Sequence, residues 1–124
     1  MHTGLIYMMI GVNIACCNSY TYVESHDSLS DREKVIFLFS TFDISKKDGY
    51  LGYTEIELFQ KLTDPQLPLD MEMYRYIIQL LGGNMRYGLT RDQFNSSYYL
   101  YRNTLGTDLR KDYTIIKNII NQVM

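Results

Sequence analysis

Tryptophan is absent from this 124-residue chain, and cysteine, histidine and proline occur only twice each. The two cysteines, Cys16 and Cys17, are neighbours, and adjacent cysteines can hardly bridge to each other without strain. The histidines stand apart at His2 and His26, so the clustered spacing of a zinc site is missing. Catalytic chemistry has equally little to draw on. His26 is the only histidine beyond residue 17, no nucleophile-elbow pattern occurs, and no glycine-rich loop precedes a helix to cradle a phosphate. An excess of positive charge is also missing: 12 Lys and Arg, scattered along the chain, face 14 Asp and Glu. That balance argues against nucleic acid and anionic membrane as partners. Long apolar runs are lacking too. Residues 5–17 form an apolar stretch broken only by Asn13, short of the roughly 20 residues that a membrane-spanning helix needs.

What is present divides the chain in two. Every Lys, Arg, Asp and Glu lies at or beyond Glu24, while both cysteines lie before it. Residues 5–17 have the length of a signal-peptide h-region, and small residues follow at Ala15, Cys16, Cys17 and Ser19. The expectation is a signal peptide at 1–17 and a secreted protein. Met1-His2-Thr3-Gly4 carries no Lys or Arg, which leaves two alternatives: an N-terminal membrane anchor, or a segment packed on the domain. Removal at Cys17 or Ser19 would leave no cysteine, so core burial or a metal would have to supply the stability. Residues 18–29 are polar and read as an exposed lead-in to a domain starting at Ser30.

From Ser30 onward the punctuation is that of short helices, so the fold class expected is all-α. Ser30-Asp31-Arg32-Glu33 is a capping box, followed by Val35, Ile36, Phe39 and Phe42 at helical spacing. A loop from Asp43 to Gly52 separates this helix from a second, through Ile56, Phe59 and Leu62, which Pro65 and Pro68 terminate. Asp70 is a suitable N-cap for a third helix carrying Met73, Tyr74, Ile77, Ile78 and Leu81, which Gly82-Gly83 ends. Thr90-Arg91-Asp92-Gln93 is a second capping box, and the spacing predicts a fourth helix running on through Phe94, Tyr98 and Tyr101. Thr107 is the expected cap of an amphipathic last helix with Leu109, Ile116, Ile119, Ile120 and Val123 on one side.

The stretch Phe42-Asp43, Asp48-Gly49, Leu51 and Glu55 resembles an EF-hand: an apolar helix ending in Phe-Asp, oxygen ligands, a glycine at the bend, an apolar residue two on, and a glutamate six after the glycine. A 12-residue loop counted back from Glu55 would begin at Ile44, which has no side-chain oxygen, so the match requires 13 residues, the extra one falling in Ser45-Lys46-Lys47. Gly88-Leu89-Thr90-Arg91-Asp92-Gln93-Phe94 resembles the exit of a second loop. Leu51 to Leu89 and Glu55 to Gln93 are both 38 residues apart, close to the repeat of paired hands. The resemblance implies an EF-hand pair at 30–103, joined by a short bridge between Leu51 and Leu89, with a C-terminal helix at 104–124 packing on it. It also implies a single calcium site, liganded by Asp43, Ser45, Asp48, the Tyr50 carbonyl and Glu55. The second loop departs from the pattern: Gly82 replaces the first acid, Arg86 a later ligand, and neutral Gln93 the closing glutamate.

Two readings of the first loop compete. In one it binds calcium, weakly, in the roughly 10⁻⁴–10⁻³ M range of extracellular modules. In the other it is a degenerate hand kept as a helical scaffold, which the inserted residue and Lys46-Lys47 favour. The expected function is a non-catalytic calcium-binding or protein-interaction module with a protein or peptide partner. The alternatives are a calcium-independent helical interaction protein and a small secreted enzyme. Asn95-Ser96-Ser97 fits an N-glycosylation sequon, an ordinary polar helix surface being the competing reading. Tyr74, Tyr76, Tyr87, Tyr98, Tyr99 and Tyr101 are expected at the core and its rim, or lining a groove for a partner helix. Ile119 and Ile120 of the last helix could fill such a groove from within.

Overall fold

Short-range capping sets the helix boundaries. A computed structural model describes residues 29–44 and 46–123; the expected signal peptide, nearly all of the lead-in with His26, and the candidate ligand Ser45 lie outside the described residues. Ser30 Oγ accepts the Glu33 amide at 3.1 Å while Glu33 Oε1 accepts the Ser30 amide at 2.8 Å, and this box opens α1, Asp31–Phe42. The second helix, α2, is Tyr53–Thr63. Asp70 caps α3, Met71–Leu81, by accepting the Met73 amide at 2.8 Å. Thr90 and Gln93 form the box that opens α4, Arg91–Ser96. A four-residue turn of helix, α5, Arg102–Leu105, precedes the long α6, Leu109–Val123.

The structure corrects two of the expected boundaries. The fourth helix does not continue through Tyr98 and Tyr101 but ends at Ser96. Ser97 Oγ donates to the Phe94 carbonyl at 2.6 Å, and the amides of Ser97, Tyr98 and Tyr99 bond three residues back instead of four. A serine hydroxyl competing for the helix carbonyls tightens and breaks the ladder. Nor does Thr107 cap the last helix, because its hydroxyl donates to the Ser97 carbonyl at 2.6 Å. Asp108 takes the role, its carboxylate accepting the Lys111 amide at 3.1 Å.

The helices form two helix–loop–helix units, α1 with α2 and α3 with α4. Between them the loops meet at an antiparallel bridge, Leu51 with Leu89, in which each amide donates to the other's carbonyl at 2.8 and 2.9 Å. Both leucines are buried, at 0% and 2% exposure. The core below the bridge holds Val35, Leu38, Phe39 and Phe42 of α1, Tyr74 and Ile78 of α3, and Ile115 and Ile116 of α6. Phe94 sits at the centre of an aromatic group, its ring 5.5 Å from Tyr98, 5.6 Å from Phe59 and 6.0 Å from Phe39. Edge-to-face pairs of this kind add about 0.5–1.5 kcal/mol beyond the area they bury. Helix α6 lies against α1 and α2. No described helix is long and apolar enough to cross a membrane.

Candidate metal centre and the adjoining groove

The loop between α1 and α2 is organised by its own carboxylates. Asp43 follows the last turn of α1, and its two oxygens accept the amides of Asp48 at 3.3 Å and Gly49 at 3.0 Å. Asp48 in turn accepts the Tyr50 amide at 3.0 Å. The Lys47 amide donates to the Asp43 carbonyl at 2.6 Å, and Lys47 adopts φ +52°, so the chain makes a tight turn at the lysines. Lys46 and Lys47 are exposed, as is the apolar Ile44. At the far end, Glu55 is buried and accepts the Gly52 amide at 2.7 Å at the start of α2.

These residues supply hard oxygen donors, the chemistry that calcium prefers over softer metals. Asp43 is tied to the backbone of Asp48 and Gly49, Asp48 to that of Tyr50, and Glu55 is oriented at the opposite end of the loop by the Gly52 amide. Among the described residues, no three His, Cys, Asp or Glu side chains gather into a metal-holding group. The fit therefore rests on donor chemistry and loop order, with Ser45 outside the described residues.

The second loop is arranged differently. Gln93 Oε1 accepts the Thr90 amide at 2.9 Å, and Gln93 Nε2 donates to the Gly82 carbonyl at 2.7 Å. Asn84 Oδ1 accepts the amides of Arg86 and Tyr87 at 2.8 and 2.9 Å. The Arg86 guanidinium lies 5.5 Å from the Tyr87 ring, which packs 5.5 Å from Tyr50 of the first loop.

Beside the first loop lies an apolar groove of about 420 Å³ between α1, α2 and α6, lined by Phe42, Ile44, Leu58, Leu62, Ile119 and Ile120 along with Glu55. Ile119 and Ile120 of the last helix form part of its wall. The described methionines do not line it. Met71 and Met85 are instead nearly half exposed elsewhere. Of the tyrosines, Tyr74 and Tyr98 are buried, while Tyr76, Tyr87 and Tyr99 are about half exposed at the rim. Burial, and after it the Glu55 carboxylate, push the Tyr74 phenol above its usual range. Asn95 is half-buried and lines a small recess with Arg32 and Arg91.

One polar pair escaped the sequence reading. The buried Tyr98 hydroxyl donates to Asp112 Oδ2 at 2.6 Å, joining the turn after α4 to α6. Burial raises the Asp112 carboxyl to about 6, against the opposing pull of the Tyr98 bond and of Lys111 at 3.9 Å. Burial, reinforced by Asp112, lifts the Tyr98 phenol well above its usual range. The available signal was that Asp112 shares the face of Ile116, Ile119 and Val123, where a charge is out of place.

Compared with protein-family models, curated proteins and solved structures, the chain matches none.

Proposed function

We propose that the chain is a paired EF-hand domain, exported from the cell, that holds one calcium ion in its first loop and acts without catalysis. The observation that supports this reading most is the reciprocal Leu51–Leu89 bridge. It joins two loops whose closing residues, Glu55 and Gln93, stand at the same register 38 residues apart. Calcium would take Asp43, Ser45, Asp48, the Tyr50 carbonyl and Glu55 as ligands. Drawing Asp43 and Glu55 onto one ion fixes the end of α1 against the start of α2. That stabilises the domain and sets the width of the adjoining groove, where an apolar helix of a protein partner would dock.

Calorimetric titration of the full chain, together with a thermal melt, tests the proposal. Heat of binding and a raised Tm in millimolar calcium are expected; neither heat nor shift rejects it. A second reading, a calcium-independent helical interaction module, is favoured by the groove itself, whose lining is mainly Ile, Leu and Phe. It predicts no calcium response.

A further inference from the structure

Glu55 and Gln93 occupy equivalent places, each at the third position of its helix. Each has a side-chain oxygen accepting the amide of the residue before the helix, at 2.7 and 2.9 Å. They differ in the other side-chain atom. Gln93 Nε2 is a donor, and it reaches eleven residues back to the Gly82 carbonyl at 2.7 Å. The two ends of residues 82–93 are therefore tied directly, donor to acceptor. An ionised carboxylate accepts only. The first loop has Asp43 at one end and Glu55 at the other, and two ionised carboxylates cannot donate to each other.

We propose that Gln93 takes the place of a bound cation in the second loop. Its amide clasps residues 82–93 shut with no ion present, and so holds Leu89 as a fixed partner for Leu51 beside the candidate calcium loop. The clasp stands on geometry alone; its positioning effect on the ion site rests on the calcium reading. The interior of the clasped loop is also held by its own hydrogen bonds. Asn84 and Gly88 exchange backbone hydrogen bonds of 3.0 and 2.6 Å, Asn84 Oδ1 holds the intervening amides, and Leu89 follows directly. Arg86 lies within the same stretch, where a cation would meet its charge. The protein should therefore take up one ion, with a binding slope of one.

The test is Gln93→Glu in the full chain. The substitution retains the acceptor for the Thr90 amide and removes the donor to Gly82. In metal-free protein at pH 7, hydrogen exchange at the Leu51, Gly88 and Leu89 amides should quicken on the order of tenfold relative to wild type. Below about pH 4 the introduced carboxyl regains a proton and can donate again, so the difference from wild type should shrink. Unchanged exchange at pH 7, or a difference that persists in acid, overturns the clasp. In a calcium titration followed at the Asp48 and Gly49 amides, which report the first loop apart from any ion drawn to the introduced carboxylate, the variant should bind at least about threefold more weakly than wild type. Equal affinity despite faster exchange overturns the positioning effect. If wild type shows the clasp but takes up no calcium, the calcium reading fails while the clasp stands. Should the variant not fold, the side-chain amide protons of Gln93 and exposed Gln122 are compared in wild type. Slower exchange at Gln93 supports the clasp, and equal exchange overturns it.

Discussion

The Tyr98 hydroxyl meets the Asp112 carboxylate at 2.6 Å inside the protein, and this bond ties the turn after α4 to the first turn of α6. Ser97 prepares the contact by ending α4 one turn early, which swings Tyr98 towards α6.

Because the folded Asp112 carboxyl titrates near 6 and an unfolded one near 3.8, the folded state holds a proton between those values that the unfolded state has lost. Its contribution to stability is thus fully present below pH 3.8 and lost as pH rises towards 6, by on the order of 2–3 kcal/mol. Asp112→Asn keeps an acceptor for Tyr98 and carries no charge. Urea denaturation across pH 4–7 should show this downward slope in wild type and its loss in the variant, which should be the more stable of the two at pH 7.

Tyr98→Phe removes the donor and leaves the carboxylate buried without that bond. The expected cost is about 1.5–3 kcal/mol at pH 7, where the bond serves a charged group, and less at pH 5. The same substitution should raise the Asp112 titration midpoint, since the bond holds it down. Side-chain carboxyl NMR shifts would report that midpoint.

Gly88 has φ +106°, and a Cβ added there would run into the Leu51 carbonyl across the bridge. Gly82 has φ +78°, but a Cβ there meets nothing within 4 Å. Gly88→Ala should therefore cost about 2–4 kcal/mol, whereas Gly82→Ala should cost about 1, the left-handed backbone penalty alone. Equal losses in denaturant melts would mean that the two loops are not pressed together at this point.

Ile116 is 2% exposed on the face of α6 that meets α1 and α2. Ile116→Ala should destabilise the protein by about 2–5 kcal/mol through the cavity it opens. Half-buried Ile119, at the groove, should cost less when replaced in the same way, and the difference measures how much of α6 belongs to the core.

Glu55→Gln preserves the acceptor for the Gly52 amide, so metal-free stability should change by less than about 1 kcal/mol. Calcium affinity should fall at least tenfold, because a closing carboxylate supplies two oxygens and an amide one. Unchanged affinity by calorimetry would place the ion in another loop.

Much of this architecture was legible because its signals act over three or four residues. The Ser30 and Thr90 capping boxes, the Asp70 cap and the stop at Gly82 all operate within one turn, and each stands where its local sequence places it. The pairing of Leu51 with Leu89 was an expectation of the EF-hand resemblance, and the two residues do form that bridge. The extended fourth helix was misread because its tyrosine spacing is helical, while the serine that breaks it competes for carbonyls without altering that spacing.

The sequence by itself determined that the chain is all-α and where three of its helices start, behind Ser30, Asp70 and Thr90. Caps, prolines and glycines are local, so their signals are complete within a few residues of the chain. Only the tertiary structure decided that Asp112 lies buried against Tyr98 and that Gln93 closes the second loop on Gly82. Each of those depends on a side chain meeting a group ten or more residues away or on burial, and burial exists only once the helices have packed.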